Sequence, residues 1–197
     1  MKKLLLIILT GAIMSLSFEN VPLKVGDNVP DFETVDDNGV SWKLSDHLRV
    51  NYLVIYFYPA AFTSGCTTQA CSYRDINKEL AMMNASVVGI SGDEVKNLAM
   101  FKKEHTLNFT MLSDQNGEVA KIFGVTVKDG GTIDKEIGGQ RLQLTRGVTE
   151  SRWTFIIDGN GKLIYRDNDV DAATDSQTVL EFIKMHEQRK SCRISDD

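Results

Sequence analysis

Past its first twenty residues the chain alternates short apolar runs with longer stretches of wider spacing, the pattern of a sheet with helices packed on it. Residues 51–58 form a nearly unbroken β-branched and aromatic run, the mark of a strand buried on both faces, and Pro59 ends it. From Cys66 the spacing turns helical, with Cys71, Leu80, Met82 and Met83 among polar residues as far as Asn84, and a short strand follows at 86–91. This is a β-loop-α-β unit. A helix over 94–105 carries Val95, Leu98, Ala99 and Phe101 near one face, with Met100 off that stripe and His105 at its margin. Residues 110–113 read as a strand, and 118–123 as a short helix stopped by Gly124. A last amphipathic helix over 178–186 carries Val179, Leu180, Phe182, Ile183 and His186. Two hairpins are predicted, 31–35 with 41–44 and 152–157 with 162–165, because Asn38-Gly39 and Asn160-Gly161 readily take the positive φ of tight turns. Residues 125–150 are glycine-rich, weakly periodic and predict no element. Together these segments predict an α/β domain, a mixed central sheet with helices on both faces and a hairpin at its N-terminal end.

The first residues differ in kind. Lys2 and Lys3 precede an apolar run over 4–13, and Ser15-Leu16-Ser17 offers small residues at both cleavage-defining positions. That is a secretory signal pattern. It divides the chain into a signal peptide at 1–17 and a single domain at 18–197 ending in a short polar tail, and predicts export, to the periplasm. An uncleaved tether is the alternative, although the run has about half of the roughly twenty residues a membrane span needs. With 197 residues, 42% of them hydrophobic, the chain supports one substantial core. The formal charge of -5 becomes more negative once Lys2 and Lys3 are removed, and no Lys/Arg stripe stands out. Nucleic acid is therefore excluded as a partner, and no stable membrane association is expected after the leader is lost.

Three cysteines are present, Cys66, Cys71 and Cys192. Cys66 falls where the strand and loop give way to a helix, and there unsatisfied backbone N–H groups and the positive end of the helix dipole favour a thiolate, the nucleophilic form. Thr63, three residues earlier, can present a hydroxyl to the same space, and Pro59 fixes the exit from the strand. In an intact helix the Cα atoms of Cys66 and Cys71 stand roughly 8 to 9 Å apart, beyond the roughly 7 Å a disulfide tolerates, so joining them requires the helix to unwind locally. The pair also admits a static structural disulfide. His47, His105 and His186 are too scattered to make metal-ligand spacing with the thiols, and no metal site is predicted.

The motif Pro59-x-x-x-Thr63-x-x-Cys66 resembles the active site of peroxiredoxins. The continuation Gly65-Cys66-Thr67-x-Gln69-Ala70-Cys71-x-x-Arg74-Asp75 is similar to the bacterioferritin comigratory protein or peroxiredoxin Q subgroup, as is the later strand Arg152-Trp153-Thr154-Phe155-Ile156-Ile157-Asp158. The likeness spans roughly residues 21–186, and Ser64 departs from it where the family usually has proline. The resemblance implies a thioredoxin-like fold and a thiol peroxidase that reduces hydrogen peroxide and organic hydroperoxides without a cofactor. By it Cys66 is the peroxidatic cysteine, Cys71 resolves it, Thr63 and Arg152 bind and polarise the peroxide, and Pro59 and Gly65 shape the pocket. It further implies a thioredoxin-like reductant, which the leader pattern places outside the cytoplasm together with this protein, and a monomer or weak dimer is expected. Two other readings remain open on the residues alone: a thiol-disulfide oxidoreductase, although that chemistry usually uses Cys-x-x-Cys, and a non-catalytic redox sensor.

Overall fold

The structure is a computed structural model and describes residues 22–194, so the predicted leader lies outside the described residues. The elements run β1 (Glu33–Asp36), β2 (Ser41–Lys43), β3 (Tyr52–Phe57), α1 (Ser64–Met82), β4 (Ala85–Ser91), α2 (Val95–Glu104), β5 (Thr110–Ser113), α3 (Glu118–Phe123), β6 (Val127–Ile137), β7 (Gln140–Glu150), β8 (Trp153–Asp158), β9 (Leu163–Asp167) and α4 (Asp175–Ile194). Seven strands make one sheet in the order β2-β1-β5-β4-β3-β8-β9. β3 pairs parallel with β4, and β4 with β5, while β8 runs antiparallel to β3. The expected mixed sheet and N-terminal hairpin are both present.

β3 is central, and all six of its side chains are buried. Successive strand residues face opposite ways, so Val54 and Tyr56 join a cluster with Ile156, Leu98 and Val179, while Leu53, Ile55 and Phe57 join another with Val88, Phe155 and Phe123. The first cluster is roofed by α1, α2 and α4, the second by α3. This division is why the strand reads as a continuous apolar run rather than an alternation.

Three expectations need correction. Residues 125–150, which predict no element, form the long hairpin β6 and β7. Its glycines hide the strand period because backbone takes the place of side chains beside them. A Cβ on Gly130 would lie 2.1 Å from the Arg146 carbonyl oxygen, and one on Gly147 would lie 2.1 Å from that of Gln115. The second glycine lets the hairpin dock on the sheet, where its N–H donates to Gly92 at 2.9 Å. In α2 the buried face holds Asn97 rather than Ala99, which is exposed, and Met100 packs on the core. The Asn97 Nδ2 donates to the Thr145 carbonyl at 2.8 Å, so a polar residue is buried to hold β7. Finally, the helix expected at 178–186 is α4, which starts at Asp175 and continues through the predicted polar tail to Ile194. Gln, Arg and Lys propagate a helix without needing an apolar stripe.

The hairpin ends at Glu150, a side chain 1% exposed. Burial, with Asp114 and Asp93 alongside, pushes its carboxyl well above its ordinary value of 4.5. The folded state therefore keeps a proton that the unfolded chain releases, and stability is lost as pH rises from the unfolded value towards the folded one. Glu150→Gln removes that titration. Urea unfolding should show the variant gaining on the wild type between about pH 5 and about pH 8; a difference constant with pH would contradict it.

Candidate active site

Where β3 ends the chain turns through Pro59, Ala60, Ala61 and Phe62, and two anchors hold this loop. The Asp93 carboxylate, buried at the end of β4, accepts the Ala61 N–H at 2.8 Å and the Ser91 hydroxyl at 2.9 Å. Phe62 has a φ of 63°, the left-handed region that costs a non-glycine residue about 1–2 kcal/mol. Its ring is buried edge-on to Phe101, centroids 5.1 Å apart, and burial of an aromatic ring offsets that cost. Thr63 then takes an extended backbone as the N-cap of α1, its hydroxyl donating to the Ala60 carbonyl at 2.9 Å. With its one proton so committed, the oxygen is left to accept.

α1 begins with no side-chain cap and no acidic residue in its first turn. Its leading N–H groups and positive end thus remain available to another anion. Cys66 is the third residue of the helix and is 1% exposed.

Arg152 reaches Cys66 from the neighbouring strand. Phe57 is paired with Trp153, so the residue just before β8 stands at the same sheet end as the loop after β3. The Arg152 Nη2 lies 3.4 Å from the Cys66 Sγ, and Nη1 donates to Gln69 Oε1. Gly65 leaves room for this approach: a Cβ there would come within 3.3 Å of Nη2. Gln69 in turn donates to Asp175 Oδ2 at 2.7 Å, the oxygen that also accepts from Tyr73 at 2.7 Å and Thr154 at 3.0 Å. Burial pushes the Asp175 carboxyl up, and these three hydrogen bonds pull the other way. Tyr56, stacked on Tyr73, is held neutral chiefly by burial and next by Cys66.

Cys66, Gly65 and Arg152 are therefore gathered at one point, with Thr63 at the N-cap of the same helix, its hydroxyl turned to Ala60, and Pro59 half-buried at the loop's entrance. Cys71 lies further along the same unbroken helix, half-buried, and both cysteines are free thiols. A disulfide between them requires the first turns of α1 to open. Gln69 sits inside the motif, but neither Asp93 nor Asp175 signals its role locally, because Ala61, which Asp93 holds, and all three donors to Asp175 are distant in sequence. Beside the first turn lies a cavity of about 380 Å³ lined by Phe62, Ser64, Thr67, His105 and the hairpin-tip residues Ile137 and Gly138. Among the described residues no group of histidine, cysteine and carboxylate side chains is placed to hold a metal.

Comparison with known proteins gives consistent results. The AhpC/TSA family model matches residues 25–166. The chain is 36% identical to the peroxiredoxin Bcp of Escherichia coli over 165 residues, 84% of this chain and 98% of that protein. It is 35% identical to the peroxiredoxin Bcp of Bacillus subtilis over 142 residues, 72% and 83% of the two chains. Among solved structures, the peroxidoxin BcpB of Mycobacterium tuberculosis superposes with a TM-score of 0.69 at 34% identity, covering 83% of this chain and 97% of that one. The bacterioferritin comigratory protein of Xanthomonas campestris does so at 0.64 and 26% identity, covering 79% and 91%.

Asp175→Ala removes the acceptor shared by three buried donors, Gln69, Tyr73 and Thr154. It should destabilise the fold by about 2–4 kcal/mol, measured by urea unfolding; an unchanged midpoint would take Asp175 out of the support.

Proposed function

Because this chain belongs to the AhpC/TSA family, and is a peroxiredoxin, a thiol peroxidase with a thioredoxin-like fold, we propose the residues through which its reaction runs. Cys66 is the peroxidatic cysteine. Its thiolate attacks one oxygen of a hydroperoxide, the O–O bond breaks, and the departing oxygen leaves with the electron pair and takes up a proton to become water or an alcohol. Arg152 stabilises charge on the sulfur and on the departing oxygen. Thr63, its proton already given to Ala60, accepts from the peroxide O–H and so fixes which oxygen faces the sulfur. Pro59 and Gly65 shape the pocket, Gly65 by making room for the guanidinium. The observation carrying this reading is the 3.4 Å approach of Arg152 to a buried sulfur at an uncapped helix start.

Cys71 is the resolving cysteine, and condenses with the Cys66 sulfenic acid as the first turns of α1 open. A thioredoxin-like dithiol then reduces the disulfide and the helix re-forms. The cavity beside the first turn, where Phe62 and Ile137 stand among Glu104, Lys135 and Glu136, offers some apolar surface to the organic part of a hydroperoxide, which supports organic hydroperoxides as well as hydrogen peroxide as substrates. We further propose that the protein acts in the periplasm, on the strength of the leader pattern at 1–17, and that its reductant is exported too. Among the described residues no helix is long and apolar enough to cross a membrane.

Stopped-flow mixing of the reduced protein with hydrogen peroxide tests the assignments. Cys66→Ser should abolish fast oxidation, and Arg152→Met should slow it by about 100-fold or more. Cys71→Ser should still be oxidised once but form no intramolecular disulfide. Slow oxidation that survives loss of Cys66 would overturn the reading. The mass of the mature native protein should correspond to a chain starting at Phe18; a full-length mass would refute cleavage.

A further inference from the structure

Cys71 has a charged neighbour of its own. Arg74, three residues on and on the same face of α1, directs Nη1 to within 3.6 Å of the Cys71 sulfur. The same nitrogen donates to the His105 backbone oxygen at 2.8 Å, while Nε and Nη2 hold Asp75 at 2.8 and 2.7 Å. The guanidinium is thus aimed from two sides, by its neighbour in α1 and by the end of α2. Asn108 Nδ2 also donates to the Arg74 backbone oxygen at 3.1 Å, and Asn77 donates to Asn108. The helix is therefore anchored from Arg74 onward, and the opening that joins the cysteines falls upstream, where the arginine side chain reaches back.

Tyr56 interacts with Cys71, and His105 with Arg74, each from another element. Tyr56, from β3, is held neutral chiefly by burial. His105, at the end of α2, is pushed towards its neutral form by burial first, with Arg74 adding to that and Glu104 opposing it. Asp75 is already engaged by Arg74.

We propose that Arg74 is a catalytic residue of the second half-reaction, its guanidinium holding the Cys71 sulfur as the thiolate that attacks the Cys66 sulfenic acid. The proposal rests on Cys71 being the resolving cysteine. The thiolate's electron pair forms the S–S bond as the sulfenic S–O bond breaks. Hydroxide leaves and recovers the proton that Cys71 released, so the products are a disulfide and water and no further oxidant is needed. An ordinary thiol is only a few per cent thiolate near neutrality, and contact with a cation in general favours the anionic, attacking form.

The test follows the second phase, sulfenic acid to disulfide, in stopped-flow after a stoichiometric pulse of hydrogen peroxide, across the neutral pH range. Arg74→Met should slow this phase by roughly three- to tenfold at neutral pH and move the midpoint of its pH profile upward. Arg74→Lys, keeping the charge, should hold the midpoint near that of the wild type. A midpoint unmoved in Arg74→Met, whether the rate rises or falls, would mean that the arginine only clamps the helix, and would overturn the proposal. Cys71→Ser run alongside separates the two claims: if the second phase survives it, the resolving assignment fails and the role of Arg74 falls with it.

Discussion

The structure is organised around one contact, a guanidinium nitrogen against a buried sulfur at a helix start that nothing else caps. Charge in a buried place is costly unless partners are already there, and the groups around Cys66 arrive from three separate parts of the chain. The register of β3 against β8 brings Arg152 to the right end of the sheet. Gly65 yields the volume it occupies. Gln69 holds its second nitrogen and is itself held by Asp175 on α4. On the other side, Asp93 and the buried ring of Phe62 keep the loop before the helix in a conformation it would not adopt unaided. Preorganisation of this kind places the cost in folding rather than in each turnover.

Asp93 and Asp175, two of the buried aspartates, have similar surroundings and different partners. Both carboxyls are pushed upward by burial, and both accept several hydrogen bonds that oppose the push. Asp93 binds the loop backbone directly, whereas Asp175 acts at one remove, through an amide. Asp93 thereby fixes the loop that leads into α1, and Asp175 the amide that holds Arg152.

Much of this was legible from the residues. β3, the two predicted hairpins and the helices around the central sheet follow from period and turn chemistry, and the motif from Pro59 to Cys71 carries the resemblance to the family that the chain belongs to. What the sequence hides has physical causes. The hairpin over 127–150 is obscured because Gly130 and Gly147 are spent on backbone approach, where a strand would otherwise show side chains. α4 runs past its apolar stripe because a helix once nucleated needs only favourable propensity. Asp175 is invisible because its meaning depends on Gln69 and Tyr73, more than a hundred residues earlier.

The hairpin has a consequence for how such a protein can change. Its tip, with Ile137 and Gly138, shares a cavity wall with Ser64 and Thr67 of the first helical turn, yet it forms a two-stranded sheet of its own. The cavity thus has a wall encoded some seventy residues away from Cys66. The tip can therefore drift, lengthen or be exchanged, and the cavity wall change with it, while the strands and helix that hold Cys66 and Arg152 stay as they are.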